Sequence, residues 1–282
     1  MTVQSDLTLH DGRTLHVHDT APDDPARLVV VWHHGTPNIG APPEPLRELS
    51  ERLGVRWVSH DRPGYGGSTP HPGRDVASAA GDVEQVLDAL GVDRFAVMGH
   101  SGGGPHALAC AARLPDRVTA VVATAGLAPF GADGLDWFAG MAPAGVASLE
   151  AAAAGRDAKE RHEASAHELD MGFTAADEEA LGGDWSWVLD VVRPALAAGP
   201  APLVDDDLAY VAPWGFDVAQ VLAPTLVVHG ARDRVVPVTH GRWLAAHLPT
   251  AELRESADDG HVSVLRTSAD SLRWVVRTSS RD

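Results

Sequence analysis

Gly99-His100-Ser101-Gly102-Gly103 sets a serine among small residues, where the apolar run Arg94 to Ser101 gives way to the helical stretch GPHALACAARLP. Only small neighbours tolerate so sharp a turn, which lifts the serine hydroxyl clear of the backbone while the helix behind it aims its N-terminus at developing negative charge. A serine used in this way needs a base to take its proton and an acid to orient that base. Both stand downstream: Asp233 follows LVVHGAR, and His261 follows SADDG. Asp258 and Asp259 lie close enough to His261 in sequence to be alternative acids. Acyl transfer also creates an oxyanion, whose donors are expected to be the backbone N–H of Gly102 and that of Thr36. Thr36 belongs to His33-His34-Gly35-Thr36-Pro37, where glycine lets the chain bend and proline fixes its exit, and its hydroxyl is optional in this reading.

Competing readings of the same residues are weaker. Gly102-Gly103-Gly104-Pro105-His106-Ala107 also fits G-x-G-x-x-A, the dinucleotide fingerprint, but it follows a late strand-like run and lacks an acidic residue about twenty positions on. His106, one turn into the helix, is expected to pack or to support the site, with His100 flanking the serine. The one cysteine, Cys110, sits in HALACAARL and reads as a buried structural thiol, which excludes an internal disulfide framework and a cysteine-rich zinc site. Neither cofactor nor metal is expected. Twenty-two basic against 39 acidic residues leave a net charge of −17 with no Lys/Arg cluster, so nucleic acid and anionic membranes are disfavoured as partners. A small-molecule substrate is expected, and oligomeric state is not legible. The opening residues carry neither a basic leader nor an apolar segment of membrane-spanning length, which makes a cytoplasmic location the expectation.

The positioning elements follow from periodicity. SDLTLH and TLHVHD flank Asp11-Gly12, a hairpin signal. Continuous apolar runs at Leu28 to Gly35, Val55 to Asp61, Arg94 to Ser101 and Val118 to Gly126 read as strands covered on both faces. Helical stretches such as Asp75 to Val92 lie between them, which predicts an α/β fold with a mostly parallel central sheet flanked by helices. The alternation stops after Phe130 and resumes at Ala223 to Asp233. We therefore expect a core of residues 1–130 and 217–282 interrupted by a helical lid over 131–216, with EAAAAGRDAKERHEASAHELD helical and Thr174-Ala-Ala-Asp177 a capping box.

Five segments resemble the α/β-hydrolase superfamily, in the right order and over nearly the whole chain. HHGTP is similar to its HGxP oxyanion motif, DRPGYGGS (Asp61 to Ser68) to its DRPGxGxS loop, and GHSGG to its nucleophile elbow. HGARDRVVP and DGHVS are similar to its acid and histidine segments. The resemblance implies the α/β-hydrolase fold, a triad in the chain order Ser101, Asp233, His261, and a structural role for Asp61 in tying down the turn beside the site. Serine at the nucleophile position argues against the superfamily's haloalkane dehalogenases and common epoxide hydrolases, which use aspartate there. Carboxylesterases, lactonases, lipases, aminopeptidases, carbon–carbon bond hydrolases and perhydrolases share the serine, and these motifs do not separate them.

The aromatic residues of the middle segment suggest an apolar acyl pocket, for which the candidates are Trp137, Met141, Trp185, Trp187 and Trp214, together with His34. The expected function is hydrolysis of a moderately hydrophobic carboxylic ester or lactone through an acyl-enzyme. The alternatives are another reaction on the same site (carbon–carbon hydrolysis, perhydrolysis or a biosynthetic cyclisation) and a non-catalytic ligand receptor.

Overall fold

The computed structural model describes residues 2–165, 169–197 and 199–280. Its first strands, β1 (Val3–Thr8) and β2 (Thr14–Asp19), form the expected hairpin, with Gly12 supplying the positive φ of 86°. Then follow β3 (Leu28–His33), α1 (Arg47–Leu53), β4 (Val55–His60), α2 (Ser78–Ala89), β5 (Phe95–His100), α3 (Gly103–Arg113) and β6 (Val118–Thr124). Five helices come next: α4 (Pro143–Ala153), α5 (Arg156–Glu163), α6 (Ala175–Gly182), α7 (Trp187–Leu196) and α8 (Ala201–Val211). The chain closes through β7 (Thr225–Gly230), α9 (Val238–His247), β8 (Ala251–Ser256) and α10 (Ser268–Ser279).

The eight strands form one sheet in the order β1-β2-β4-β3-β5-β6-β7-β8. Pairing is antiparallel from β1 through β2 to β4 and parallel from there on. The continuous apolar runs are the strands buried on both faces, because successive side chains alternate between two cores. Val29 and Val31 join Val83, Leu87 and Leu108 on one face, whereas Val30 and Trp32 join Trp57, Met98 and Leu272 on the other. Cys110 is fully buried in α3, 3.3 Å from His33 Nε2, and burial raises its thiol well above the ordinary cysteine value.

Between β6 and β7 the chain is helical, but EAAAAGRDAKERHEASAHELD is not one helix. Gly155, at φ 104°, separates α4 from α5, a conformation that glycine alone adopts freely, and residues 166–168 lie outside the described residues. The capping box at Thr174 and Asp177 starts α6 as its spacing predicts. Helix α8 packs on α4 and α5. No described helix is long and apolar enough to cross a membrane.

Asp61, just past β4, ties the following turn to its neighbours: it accepts from the N–H groups of Gly40 (2.6 Å) and Gly67 (3.1 Å) and from His18 Nε2 (2.9 Å). Histidines fill much of the adjoining interior. Burial holds His33, His34, His60 and His229 below the ordinary value, and drives His100 and His106 down to about 3 and His240 to about 4. His100, His106 and His240 stay neutral in the folded chain while their unfolded counterparts, with a value of 6.5, take up protons. Stability therefore falls as pH drops through that value, by about 2 kcal/mol between pH 7 and pH 5 for each strongly lowered histidine. A urea midpoint that drops steeply over this interval is the expected outcome, and a midpoint that stays level would contradict it.

Candidate active site

Ser101 occupies the turn between β5 and α3 with φ at 54°, a left-handed conformation that costs a non-glycine residue about 1 kcal/mol or more. The surroundings enforce it. The Ser101 N–H donates to Thr124 O at 2.9 Å, and its carbonyl accepts from Gly104 N–H at 2.9 Å. A Cβ on Gly99 would overlap the Gly103 carbonyl, and one on Gly103 would overlap the carbonyl of His33. The small residues around the serine are thus demanded by backbone packed against backbone.

His261 Nε2 lies 2.9 Å from Ser101 Oγ, and His261 Nδ1 lies 2.7 Å from Asp233 Oδ2. A carboxylate only accepts, so Nδ1 carries the proton and Nε2 presents its lone pair to the serine hydroxyl. The second oxygen of Asp233 accepts from the N–H groups of Val235 (2.8 Å) and Val236 (2.9 Å), which fixes the carboxylate plane. Burial opposes the imidazolium of His261, but the charge and hydrogen bond of Asp233 outweigh it and hold the histidine above its ordinary value. The alternative acids point elsewhere: Asp258 is exposed and paired with Arg232 at 2.6 Å, and Asp259 Oδ2 accepts from Ser256 Oγ.

A second carboxylate steadies the histidine loop from outside the core. Asp177 of α6 accepts through Oδ1 from the N–H groups of Val262 and Ser263, both at 2.8 Å, while its Oδ2 serves the capping box. The residue that caps a helix thereby also anchors the chain beside His261.

The N–H groups of Thr36 and Gly102 have no acceptor among the described residues, and both residues border the same cavity as Ser101. Around them lies a buried polar network. Arg62 donates to the carbonyls of His34 and Gly35 (3.0 Å for the latter) and to Thr36 Oγ1 (2.8 Å). Asp206 of α8, fully buried, receives Arg62 Nη2 (2.7 Å), Arg74 Nη2 (2.8 Å), Tyr65 Oη (3.0 Å) and the Thr36 hydroxyl (2.6 Å). Burial would raise this carboxyl, but Arg62 and Arg74 hold it well below the carboxylate range. Because the Thr36 hydroxyl spends its proton on Asp206, the backbone N–H is the one donor of that residue left without an acceptor among the described residues. Tyr210 Oη stands 2.8 Å from Thr36 Oγ1 and 3.2 Å from Gly102 O, and His106 Nδ1 donates to that same carbonyl at 2.7 Å.

A cavity of about 420 Å³ opens from Ser101. Leu127, Leu149, Leu203, Val235 and Val236 give it apolar walls, and Ser148, Glu163 and Asp207 form a polar patch. None of the expected pocket residues lines it. His34 is fully buried, donating from Nδ1 to Gly35 O and accepting the Arg62 N–H at Nε2. Trp137 donates to Ala128 O and packs on His240, and Met141 lies behind Gly145, which does line the cavity. Trp185 and Trp187 continue a row of rings through Trp32 to Trp57 in the core, while Trp214 donates to Tyr210 O and packs on Phe216. The tryptophans are buried against other rings and backbone, which leaves the cavity wall to aliphatic and polar residues and Tyr210.

Sequence reasoning missed Arg62, Asp206, Tyr210 and Lys159. Lys159, the single lysine of the chain, is fully buried with Asp207 and Glu163, each at 2.6 Å. A signal existed in Asp205-Asp206-Asp207, three acids inside the otherwise apolar helix APLVDDDLAYV, but such a run reads equally as a solvated face.

Known proteins share this arrangement's fold. At 28% identity over 279 residues, covering 90% of this chain and 88% of the relative, it is similar to a 2-hydroxy-6-oxononadienedioate/2-hydroxy-6-oxononatrienedioate hydrolase from Cupriavidus pinatubonensis. It is 29% identical over 258 residues to a 2-hydroxymuconate semialdehyde hydrolase from Pseudomonas putida, covering 89% of this chain and 85% of that one. The crystal structure of the enol-lactonase from Burkholderia xenovorans LB400 superposes with a TM-score of 0.71 at 21% identity, covering 99% of this chain and all of the other. The family model described as "alpha/beta hydrolase fold" matches residues 29–266, and the chain belongs to that family.

Proposed function

We propose that the protein hydrolyses a moderately hydrophobic carboxylic ester or lactone through an acyl-enzyme on Ser101. The observation that carries this reading is the hydrogen-bonded line Asp233–His261–Ser101 ending at a cavity bordered by two N–H groups without acceptors. His261 Nε2 takes the serine proton as Oγ adds to the carbonyl carbon, and the Thr36 and Gly102 amides receive the oxyanion. Collapse of the adduct expels the alkoxide, protonated by His261. Water then enters, loses a proton to His261, and attacks the acyl carbonyl, and collapse of the second adduct returns the proton to Ser101 and frees the acid. Residues 131–216 act as the lid, since α4, α5 and α8 supply much of the cavity wall.

A second reading, hydrolysis of a carbon–carbon bond, is favoured by the names of the relatives that match nearly the full chain. The charge of the cavity weighs against the dicarboxylates in the first of those names. Among the described residues neither arginine nor lysine lines it, and its wall offers the carboxylates Asp207 and Glu163, with the Lys159 ammonium sealed behind them. A carboxylate-bearing substrate would meet like charge there, whereas a neutral or cationic one would not.

A fluorophosphonate is expected to add once to the wild type and not to Ser101→Ala, read by intact mass, and an unlabelled but folded wild type would remove the serine from the chemistry. Asp233→Asn should retain the fold and lose about 10³ to 10⁴ in kcat, because the histidine no longer presents the correct tautomer. Near wild-type turnover by that variant would overturn the assignment of the acid. Among esters matched in size, those ending in a neutral or ammonium group should exceed the carboxylate-ended one in kcat/KM by about tenfold or more. Preference for the carboxylate, or turnover of the dienedioate with no ester hydrolysed, would shift the assignment to carbon–carbon cleavage.

A further inference from the structure

We propose that Asp206, a carboxylate on helix α8 of the insertion, aims the Thr36 N–H into the oxyanion site through Arg62. The inference rests on the reading of Thr36 and Gly102 as oxyanion donors. A trans peptide group is planar, so its C=O and N–H point in opposite directions. Gly35 O and Thr36 N–H are the two ends of one such group. Gly35 O is held by two donors, Arg62 Nη2 at 3.0 Å and His34 Nδ1 at 2.8 Å, which leaves the N–H at the other end directed away from them. Turning the peptide over would break both bonds and present a carbonyl oxygen where negative charge develops.

Arg62 is in turn held by Asp206. The guanidinium Nη2 lies 2.7 Å from Asp206 Oδ2 and its Nε lies 3.4 Å from Oδ1, with both side chains shut off from water. Without that counter-charge a buried guanidinium at this depth has no reason to stay aimed at two backbone carbonyls. The same carboxylate oxygen accepts the Thr36 hydroxyl at 2.6 Å and so fixes that residue from its side chain as well. Arg74, bonded to Asp206 Oδ1 at 2.8 Å and to Asp205 Oδ2 at 3.2 Å, holds Asp206 in place from the far side. The connection runs from α8 to Asp206, to Arg62, to the Gly35 carbonyl, to the Thr36 amide. Asp206 touches no reacting atom and is a positioning residue.

The test is the infrared carbonyl band of an acyl-enzyme made from an ester carrying carbon-13 in its carbonyl, together with steady-state kinetics. In the wild type, two donors should pull the band below its position in water. In Asp206→Asn the band should return toward the water position, with kcat reduced about 10² to 10³-fold, as for loss of one oxyanion donor, and KM changed by less than about threefold. Arg62→Lys is the companion variant. It keeps a cation facing Asp206, and so remains foldable where Asp206→Asn leaves two buried guanidinium groups short of an anion, yet a single ammonium cannot fork between the carbonyls and the carboxylate. It should show the same band position. A lowered band retained in either variant, whatever the loss in rate, overturns the proposal by showing that the amide stays aimed without this link. A wild-type band at the water position would instead overturn the assignment of the oxyanion donors themselves.

Discussion

A carboxylate taken wholly out of water must be met by cations and donors, and the neighbourhood of Asp206 is organised around that demand. Arg62, Arg74, Tyr65 and Thr36 converge on it from the loops after β3 and β4, while Asp206 itself arrives on α8, between β6 and β7. Helix α8 is therefore joined to those loops by a desolvated ion network as well as by apolar contact. Asp177 is also buried but is met by neutral donors, accepting from the N–H groups of Val262 and Ser263 in the loop that follows His261. Two aspartates from helices between β6 and β7 thus hold two loops that follow strands of the sheet, one next to His261 and one at Thr36.

Central strands buried on both faces deliver Ser101, the Thr36 loop and the Asp233 loop to one edge, and the left-handed turn at Ser101 persists because backbone packs directly against it. Placing His261 after the last strand makes its position depend on a longer loop, which is where Asp177 bonds.

The strands were legible in the sequence because each apolar run is continuous and each ends in glycine, aspartate or a polar turn, and the order Ser101, Asp233, His261 could be read from strand ends alone. The pocket was not. A tryptophan reports a need for burial without saying whether its partner is a ligand or another ring, and Trp137, Trp185, Trp187 and Trp214 all found rings or backbone. Similarly, Asp205 to Asp207 look like a solvated stretch until α8 is docked, since the arginines that receive Asp206 lie more than a hundred residues away in sequence. What escapes a reading of local pattern is the long-range pairing that helix docking creates.

Lys159 is the only lysine in the sequence, and it is completely enclosed between α4, α5 and α8. Amine-directed reagents therefore meet no lysine side chain on the closed molecule, and acylation of Lys159 must wait for these helices to part. That single side-chain modification reports how readily α4, α5 and α8 separate around Lys159, free of the background that surface lysines create in most proteins.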